Sequence, residues 1–199
     1  MSTGCSDHVR TVVLLEGPSD VAAVRAVAAA HGLTPRVHRY ELVDMGGVTN
    51  IRRHLLAFRT ASAPVRVIGM CDVGEAQYFV RALQVEGDGL HLEADLADRG
   101  FSVCDADLED ELIRAVGPER VLGVLRRLGL GPRLATFQRQ PAWRDRPVRE
   151  QLHRFAGTTS GRKTLFAGAL AEDLAPSEVP APLCRLVAAM ADGETVRAG

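Results

Sequence analysis

The stretch that decides the fold is Thr11–Asp20, which reads TVVLLEGPSD. Its first half is an unbroken run of apolar and β-branched residues, which is typical of a parallel strand buried on both faces. A Gly-Pro pair ends this run, and the alanine- and valine-rich segment 21–32 that follows predicts a helix ending at a glycine. Glu16 therefore closes a buried strand, where a carboxylate is poor core material.

Strand and helix patterns continue to alternate up to residue 116. Further strands are predicted near 37–43, 65–70 and 101–104, and helices near 49–58, 75–83, 91–98 and 107–116. Such an order, with short glycine-containing links, predicts an α/β fold with a mostly parallel four-stranded sheet flanked by helices. After Pro118 only helical patterns remain. We therefore expect a metal-binding α/β domain over 1–117 and a helical extension over 118–199 that carries Lys163.

The bulk composition is that of an ordinary globular protein, with 199 residues, 46% hydrophobic, 25% charged and a net charge of −1. No apolar run approaches the roughly 18 residues of a membrane-spanning helix. The first ten residues lack the basic start and the long apolar stretch of a signal peptide. We therefore expect a cytoplasmic protein that does not contact a membrane.

The charged residues are distributed unevenly along the chain. Of the 24 basic residues only Lys163 is a lysine, and many of the arginines follow residue 120. The acidic residues that follow the predicted strands all precede residue 112. This asymmetry fits an acidic metal pocket faced by a basic phosphate-binding segment. Solvated helix faces explain it equally well.

Acidic residues stand after each predicted strand, at the edge where open α/β sheets bind ligands. They are Glu16, Asp44, Asp72, Asp105, Asp107 and Glu109. Carboxylates crowded in this way stay ionised only if cations neutralise them, and oxygen ligands favour Mg²⁺ or Mn²⁺ over zinc. Two such ions could activate a water and stabilise a leaving oxygen. A single acid has a simpler explanation, because Asp20 and Asp107 each stand where a helix cap is expected.

Five segments resemble the TOPRIM domains of topoisomerases, primases and OLD-type (overcoming lysogenization defect) nucleases. LLEGPSD (14–20) resembles the V-E-G-x-[ST]-[DE] signature, and MGGVTNI (45–51) the glycine segment after the second strand. IGMCDVGEA (68–76) stands where the family carries a D-x-D motif. DADLEDELI (105–113) resembles the D-L-E element of OLD-type nucleases, and GRKTLFAGAL (161–170) the region of their catalytic lysine.

The resemblance spans roughly residues 11–170 and is closest to stand-alone actinobacterial TOPRIM/OLD-like proteins, which share the segments FQRQPA and GRK. It implies a Mg²⁺- or Mn²⁺-dependent nuclease acting on DNA, with RNA as an alternative substrate. Glu16 and Lys163 would be catalytic, the lysine by stabilising charge on the phosphate or by protonating the leaving oxygen. The implied ligands of the first ion are Glu16, Asp20 and Asp72, and those of the second are Asp107 and Glu109, with Asp72 able to bridge.

The sequence departs from the family at the D-x-D motif, which here reads Asp72-Val73-Gly74. Either Glu75 replaces the missing aspartate from a shifted backbone, or the site relies on Asp107 and Glu109, with Asp105 as a further candidate. The first ion is therefore better supported than the second. The expected substrate-binding residues are Gly46, Gly47, Ser160 and Arg162. The segment 157–164 is not a Walker motif, because its glycine spacing is short and an arginine intervenes.

Several alternatives remain open. OLD nucleases couple this domain to an ATPase, so a separate ATPase partner is expected, and a homo-oligomer is compatible with the sequence. The missing aspartate favours a catalytically degenerate module that binds nucleic acid or a partner without cleavage. Nucleotidyl transfer, as in primases, is the third hypothesis. The scattered histidines are interpreted as surface residues. Phe137 and Trp143 either stack on bases or, the favoured interpretation, pack on the sheet.

Overall fold

The computed structural model describes residues 9–85, 95–157 and 160–192. Within them a single four-stranded sheet has the order β2-β1-β3-β4, and every neighbouring pair is parallel. The strands are β1 (Arg10–Leu15), β2 (Tyr40–Asp44), β3 (Val65–Asp72) and β4 (Phe101–Cys104). The predicted parallel α/β fold is therefore confirmed.

Helices cover both faces of this sheet. They are α1 (Pro18–Ala30), α2 (Ile51–Arg59), α3 (Ala76–Val85), α4 (Asp95–Asp98), α5 (Leu108–Val116), α6 (Pro118–Arg127), α7 (Gly131–Gln138), α8 (Val148–Ala156), α9 (Ser160–Asp173) and α10 (Ala181–Ala191). Of the predicted helical stretch 91–98, only Asp95–Asp98 lies within the described residues.

β1 is an inner strand of the sheet, and its side chains alternate between two apolar layers. Val13 and Leu15 are fully buried against the layer that includes α1, α5, α9 and α10. Val12 and Leu14 are fully buried against the layer that includes α2 and α3. β1 and β3 lie close together at Gly69, where an added Cβ would come within 2.5 Å of the Leu14 carbonyl oxygen. An apolar run that must be buried on both faces thus becomes an inner strand.

The helices after residue 117 share one core with the sheet. α9 packs along α1 and against α5, and α10 packs against β3 and β4. The boundary that we predict at residue 117 stays a prediction, but the helical extension covers one face of the sheet directly. No helix in the described ranges combines the length and the apolar character that are needed to cross a bilayer.

Two sequence-based expectations need correction. β2 starts at Tyr40 and not near Val37, because residues 37–39 form a turn in which Val37 is 66% exposed and Arg39 has a φ of +49°. A strand cannot pass through that left-handed backbone. Phe137 and Trp143 do pack, but on each other, with Phe155 of α8 beside Phe137, and so within the helical extension.

Candidate metal centre

The candidate site lies at the carboxyl edge of the sheet, where parallel strands deliver their ends to one place. Glu16 follows β1 directly, Asp72 is the last residue of β3, and Asp107 and Glu109 stand at the start of α5, just after β4. The strands that these acids follow are β1, β3 and β4, which are hydrogen-bonded neighbours in the sheet. The sheet order itself brings together residues that are far apart in sequence.

Three carboxylates converge at this edge. Glu16, Asp72 and Glu75 each offer one oxygen, and these oxygens lie within 4.8 Å of one another. Glu75 reaches the group because Val73–Glu75 forms a single 3-10 turn immediately after β3. Its Oε2 atom is buried and has no hydrogen-bond partner. A hard divalent cation is the species that an orphaned carboxylate oxygen among other carboxylates fits. We call Glu16, Asp72 and Glu75 the carboxylate triad.

The electrostatics of the triad are compatible with a bound cation. Burial, followed by the charges of Asp20 and other acids, raises the pKa of Asp72 to about 7. Burial and the neighbouring Glu16 carboxyl raise the pKa of Glu75 to about 8. These carboxylates repel one another when they are ionised. At acidic pH, bound protons neutralise them and remove this repulsion. At neutral pH a metal ion would relieve the same repulsion.

Asp20 stands beside the triad but has a structural task of its own. Its Oδ2 accepts a hydrogen bond from the backbone N–H of Gly17 (2.9 Å) at the start of α1, so the capping interpretation is confirmed. Burial raises its pKa to about 6 against the opposing effect of that hydrogen bond. Asp20 lines the same cavity as Glu16 and Lys163, with a volume of about 250 Å³. It therefore belongs to the site without being one of the three converging carboxylates.

The second predicted pair of acids is engaged by the helical extension. Asp107 caps α5 through Oδ1, which accepts from the N–H of Asp110 (2.8 Å), and its Oδ2 lies 2.6 Å from Nε2 of His153. Burial tends to raise the pKa of Asp107, but the hydrogen bonds from His153 and Asp110 outweigh it and lower that pKa. Glu109 is 3% exposed, and burial raises its pKa despite the nearby ammonium of Lys163.

Lys163 lies in the first turn of α9, and its Nζ is 3.1 Å from Oε2 of Glu109. Burial would lower the pKa of Lys163, but the charge and hydrogen bond of Glu109 more than compensate, so the pKa is raised. The side chain also lines the cavity that contains Glu16. The single lysine of the chain is thus a permanent positive charge at the edge of the acidic site.

The glycines Gly46 and Gly47 line the cavity as well. Their φ angles are +67° and +111°, a region that side chains disfavour, so the chain can turn sharply there after β2. The amide of Gly47 donates to the carbonyl oxygen of Glu16 (2.9 Å), which fixes this turn against the end of β1. The predicted glycine segment therefore forms one wall of the site.

The remaining predicted residues lie elsewhere or are only partly described. Asp105 is 79% exposed, and its carboxylate is 3.5 Å from Arg114, outside the cavity. The guanidinium of Arg162 lies over the ring of Phe155, 4.4 Å from its centroid, and faces a different groove. Ser160 begins α9, and its side chain lies outside the described atoms.

His153 is the site residue that sequence reasoning missed. We interpreted the histidines as surface residues because they show no i,i+4 pairing. The partner of His153 is Asp107, 46 positions earlier in the chain, and the two meet only because α8 packs against α5. No local pattern in the sequence indicates such a pair.

Residues 9–72 match the family model described as "Overcoming lysogenization defect protein-like, TOPRIM domain". This match, together with the fold and the strand-end acids, makes residues 9–72 similar to a TOPRIM domain. Within that class it is similar to the OLD type, so the resemblance predicted from the sequence is confirmed. No curated protein matches the chain significantly.

Solved structures extend the likeness of the fold over almost the whole chain. The C-terminal region of the OLD protein from Burkholderia pseudomallei gives a TM-score of 0.70 at 18% identity, covering 94% of this chain and 99% of that one. The same region of the OLD protein from Xanthomonas campestris pv. campestris gives 0.67 at 22% identity, covering 96% and 98%. At such identities the likeness concerns the fold, including the helices after residue 117.

Proposed function

We propose that this chain is a Mg²⁺- or Mn²⁺-dependent nuclease that hydrolyses phosphodiester bonds of DNA. The observation that carries the proposal is the carboxylate triad, with an orphaned Glu75 oxygen and raised pKa values. An ion held there would neutralise charge on a phosphodiester and make its phosphorus easier for water to attack. Glu16, Asp72 and Glu75 are its proposed ligands, with Asp20 beside them.

Lys163 supplies the second chemical element of the proposal. A raised pKa keeps its ammonium protonated at neutral pH, so it is a poor proton donor and a good electrostatic one. We assign it the stabilisation of negative charge that develops on the phosphate in the transition state. Gly46 and Gly47, which line the same cavity, leave room for the substrate backbone to approach closely.

A basic groove next to Lys163 supports nucleic acid as the substrate. It has a volume of about 510 Å³ and is lined by Arg133, Gln140 and Arg162 together with aromatic side chains. None of its described lining residues carries a carboxylate. Arg162 and Lys163 are neighbours on α9, so one helix turn presents a cation to each of the two concavities. Guanidinium groups beside aromatic rings suit a phosphate backbone with stacked bases.

The degenerate alternative rests on Gly74, which stands where the family has its second aspartate. The carboxylate of Glu75 lies with Glu16 and Asp72, so the motif has not lost a ligand group. This position of Glu75 favours the catalytic proposal over the degenerate one. We further propose a cytoplasmic location and a separate ATPase partner, in analogy to the OLD proteins that the chain resembles.

The direct test is nicking of supercoiled plasmid by the purified protein with Mg²⁺ or Mn²⁺ and with EDTA. We expect metal-dependent nicking that Glu16→Gln and Glu75→Gln abolish. Asp145→Asn is the matched control, because that carboxylate is 83% exposed and pairs with its neighbour Arg144. Binding of DNA that is indifferent to EDTA, without cleavage of DNA or RNA by either metal, would instead support the degenerate module.

A further inference from the structure

We propose that this chain works with one divalent ion, and that His153 and Lys163 engage the two acids, Asp107 and Glu109, where its TOPRIM relatives are expected to place a second. The proposal rests on the proposed function and concerns the number of ions in that same site. It assigns His153 as a positioning residue, which holds Asp107 away from metal ligation.

Both oxygens of Asp107 are already engaged. Oδ1 accepts the N–H of Asp110 and so caps α5, and Oδ2 accepts from Nε2 of His153 at 2.6 Å. Mg²⁺ requires near-ideal octahedral geometry and gives up its water reluctantly. Each oxygen keeps a second lone pair, but an ion there would lie close to the N–H groups of His153 and Asp110, whose hydrogens carry partial positive charge. Asp107 is therefore a poor ligand as the chain stands.

Glu109 offers little more. Its Oε2 pairs with the ammonium of Lys163 at 3.1 Å, and only the buried Oε1 has no partner. Among the described residues, the acids whose oxygens converge within 4.8 Å are those of the triad, and neither Glu109 nor Asp107 is among them. One buried oxygen is a poor site for a second cation, because the ammonium of Lys163 on the same carboxylate repels it.

The packing of the helices holds the side chains of His153 and Lys163 in place. Arg149, one turn before His153 on α8, binds Asp110 of α5 with two hydrogen bonds of 3.1 and 2.5 Å. Such a bidentate pair fixes geometry as well as charge. It holds α8 against α5, so that His153 faces Asp107. Lys163 is fixed in turn by the packing of α9 against α1 and α5.

The test counts bound ions and does not depend on activity. Mn²⁺ is titrated into the metal-free protein and followed by calorimetry and by the electron paramagnetic resonance of unbound Mn²⁺. We expect one ion per wild-type chain and none for Glu75→Gln. We expect a second ion in the His153→Ala/Lys163→Met double variant, which frees both acids. His153→Gln keeps a hydrogen-bond donor and should retain one ion, which separates a positioning role from general damage.

The outcomes are distinct. Two ions in the wild type, or one ion in a folded double variant, would overturn the inference and leave a metal-dependent nuclease intact. No ion in the wild type at millimolar Mn²⁺ would overturn the proposed function as well. If circular dichroism shows that the double variant does not fold, Lys163→Met alone decides. It frees Oε2 of Glu109, and an unchanged count together with unchanged Mn²⁺ affinity would then count against the proposal.

Discussion

Asp72→Asn should make the metal-free protein more stable while removing its response to metal. The pKa of Asp72 is raised from its ordinary value of 3.8 to about 7, so the folded chain binds a proton there more tightly than the unfolded chain does. The contribution of Asp72 to the free energy of unfolding is therefore complete below pH 4 and is lost as the pH rises through 7. An asparagine has no charge to lose and should avoid this cost.

The magnitude follows from the proton affinity. Each tenfold change is worth about 1.4 kcal/mol, so the difference between 3.8 and about 7 corresponds to about 4 kcal/mol at pH 8. Asp72 is partly exposed, and solvent screens part of this energy, so we halve it to about 2 kcal/mol. For a domain of this size about 2 kcal/mol raises the Tm by roughly 4–8 °C.

The assay is thermal unfolding at pH 8 in EDTA, repeated with Mg²⁺ and at pH 4. We expect the asparagine variant to melt higher than the wild type in EDTA, to gain nothing from Mg²⁺, and to lose its advantage at pH 4. Asp145→Asn, at an exposed carboxylate, should follow the wild type throughout. An asparagine variant that melts at or below the wild type at pH 8 in EDTA would refute the view that crowded carboxylates strain this site.

Three further predictions concern other parts of the molecule. Lys163→Met should lower kcat for plasmid nicking about 100-fold or more while KM changes little, if its charge acts in the transition state; a change in KM alone would contradict that role. Gly69→Ala should lower the free energy of unfolding in urea by about 2–3 kcal/mol, because the new methyl group would meet the Leu14 carbonyl oxygen at 2.5 Å. Gly123→Ala on α6, where the new methyl group would lie 3.9 Å from the guanidinium of Arg127, should instead leave stability unchanged or higher. Arg133→Ala should weaken DNA binding and reduce, by about one, the slope of the logarithm of the binding constant against the logarithm of the salt concentration. An unchanged slope would show that Arg133 does not contact a phosphate.

The sequence predicts the sheet well, because the sheet depends on local patterns, and the same patterns place the candidate acids at one edge of it. Glu16 ends an apolar strand, Asp72 ends another, and parallel strands bring such ends to one edge. The fold class is confirmed on that basis. The start of β2 was misplaced because residues 37–39 have a strand-like composition but turn through the left-handed backbone of Arg39. Side-chain periodicity does not report a single φ angle.

The partners within the site are harder to predict, because they depend on how the helices pack. The motif spacing points to Asp20 as the third ligand, whereas the 3-10 turn after β3 brings Glu75 to Glu16 and Asp72. The sequence offers this one-residue shift as one of two alternatives, and the backbone conformation after β3 favours it. His153 meets Asp107 only through the packing of α8 on α5, so no reasoning from neighbouring residues could have found it.

The place of α9 between α1 and α5 has a consequence for any attempt to shorten this protein. A fragment that ends at residue 117 would retain the strand-end acids but lose both side chains that compensate Asp107 and Glu109. It would also expose the apolar surface of α1 that Phe166, Ala167 and Leu170 help to cover. The sheet and the helices after residue 117 thus share one apolar core. Truncation at residue 117 would remove the partners of both acids together with a large share of the buried apolar side chains.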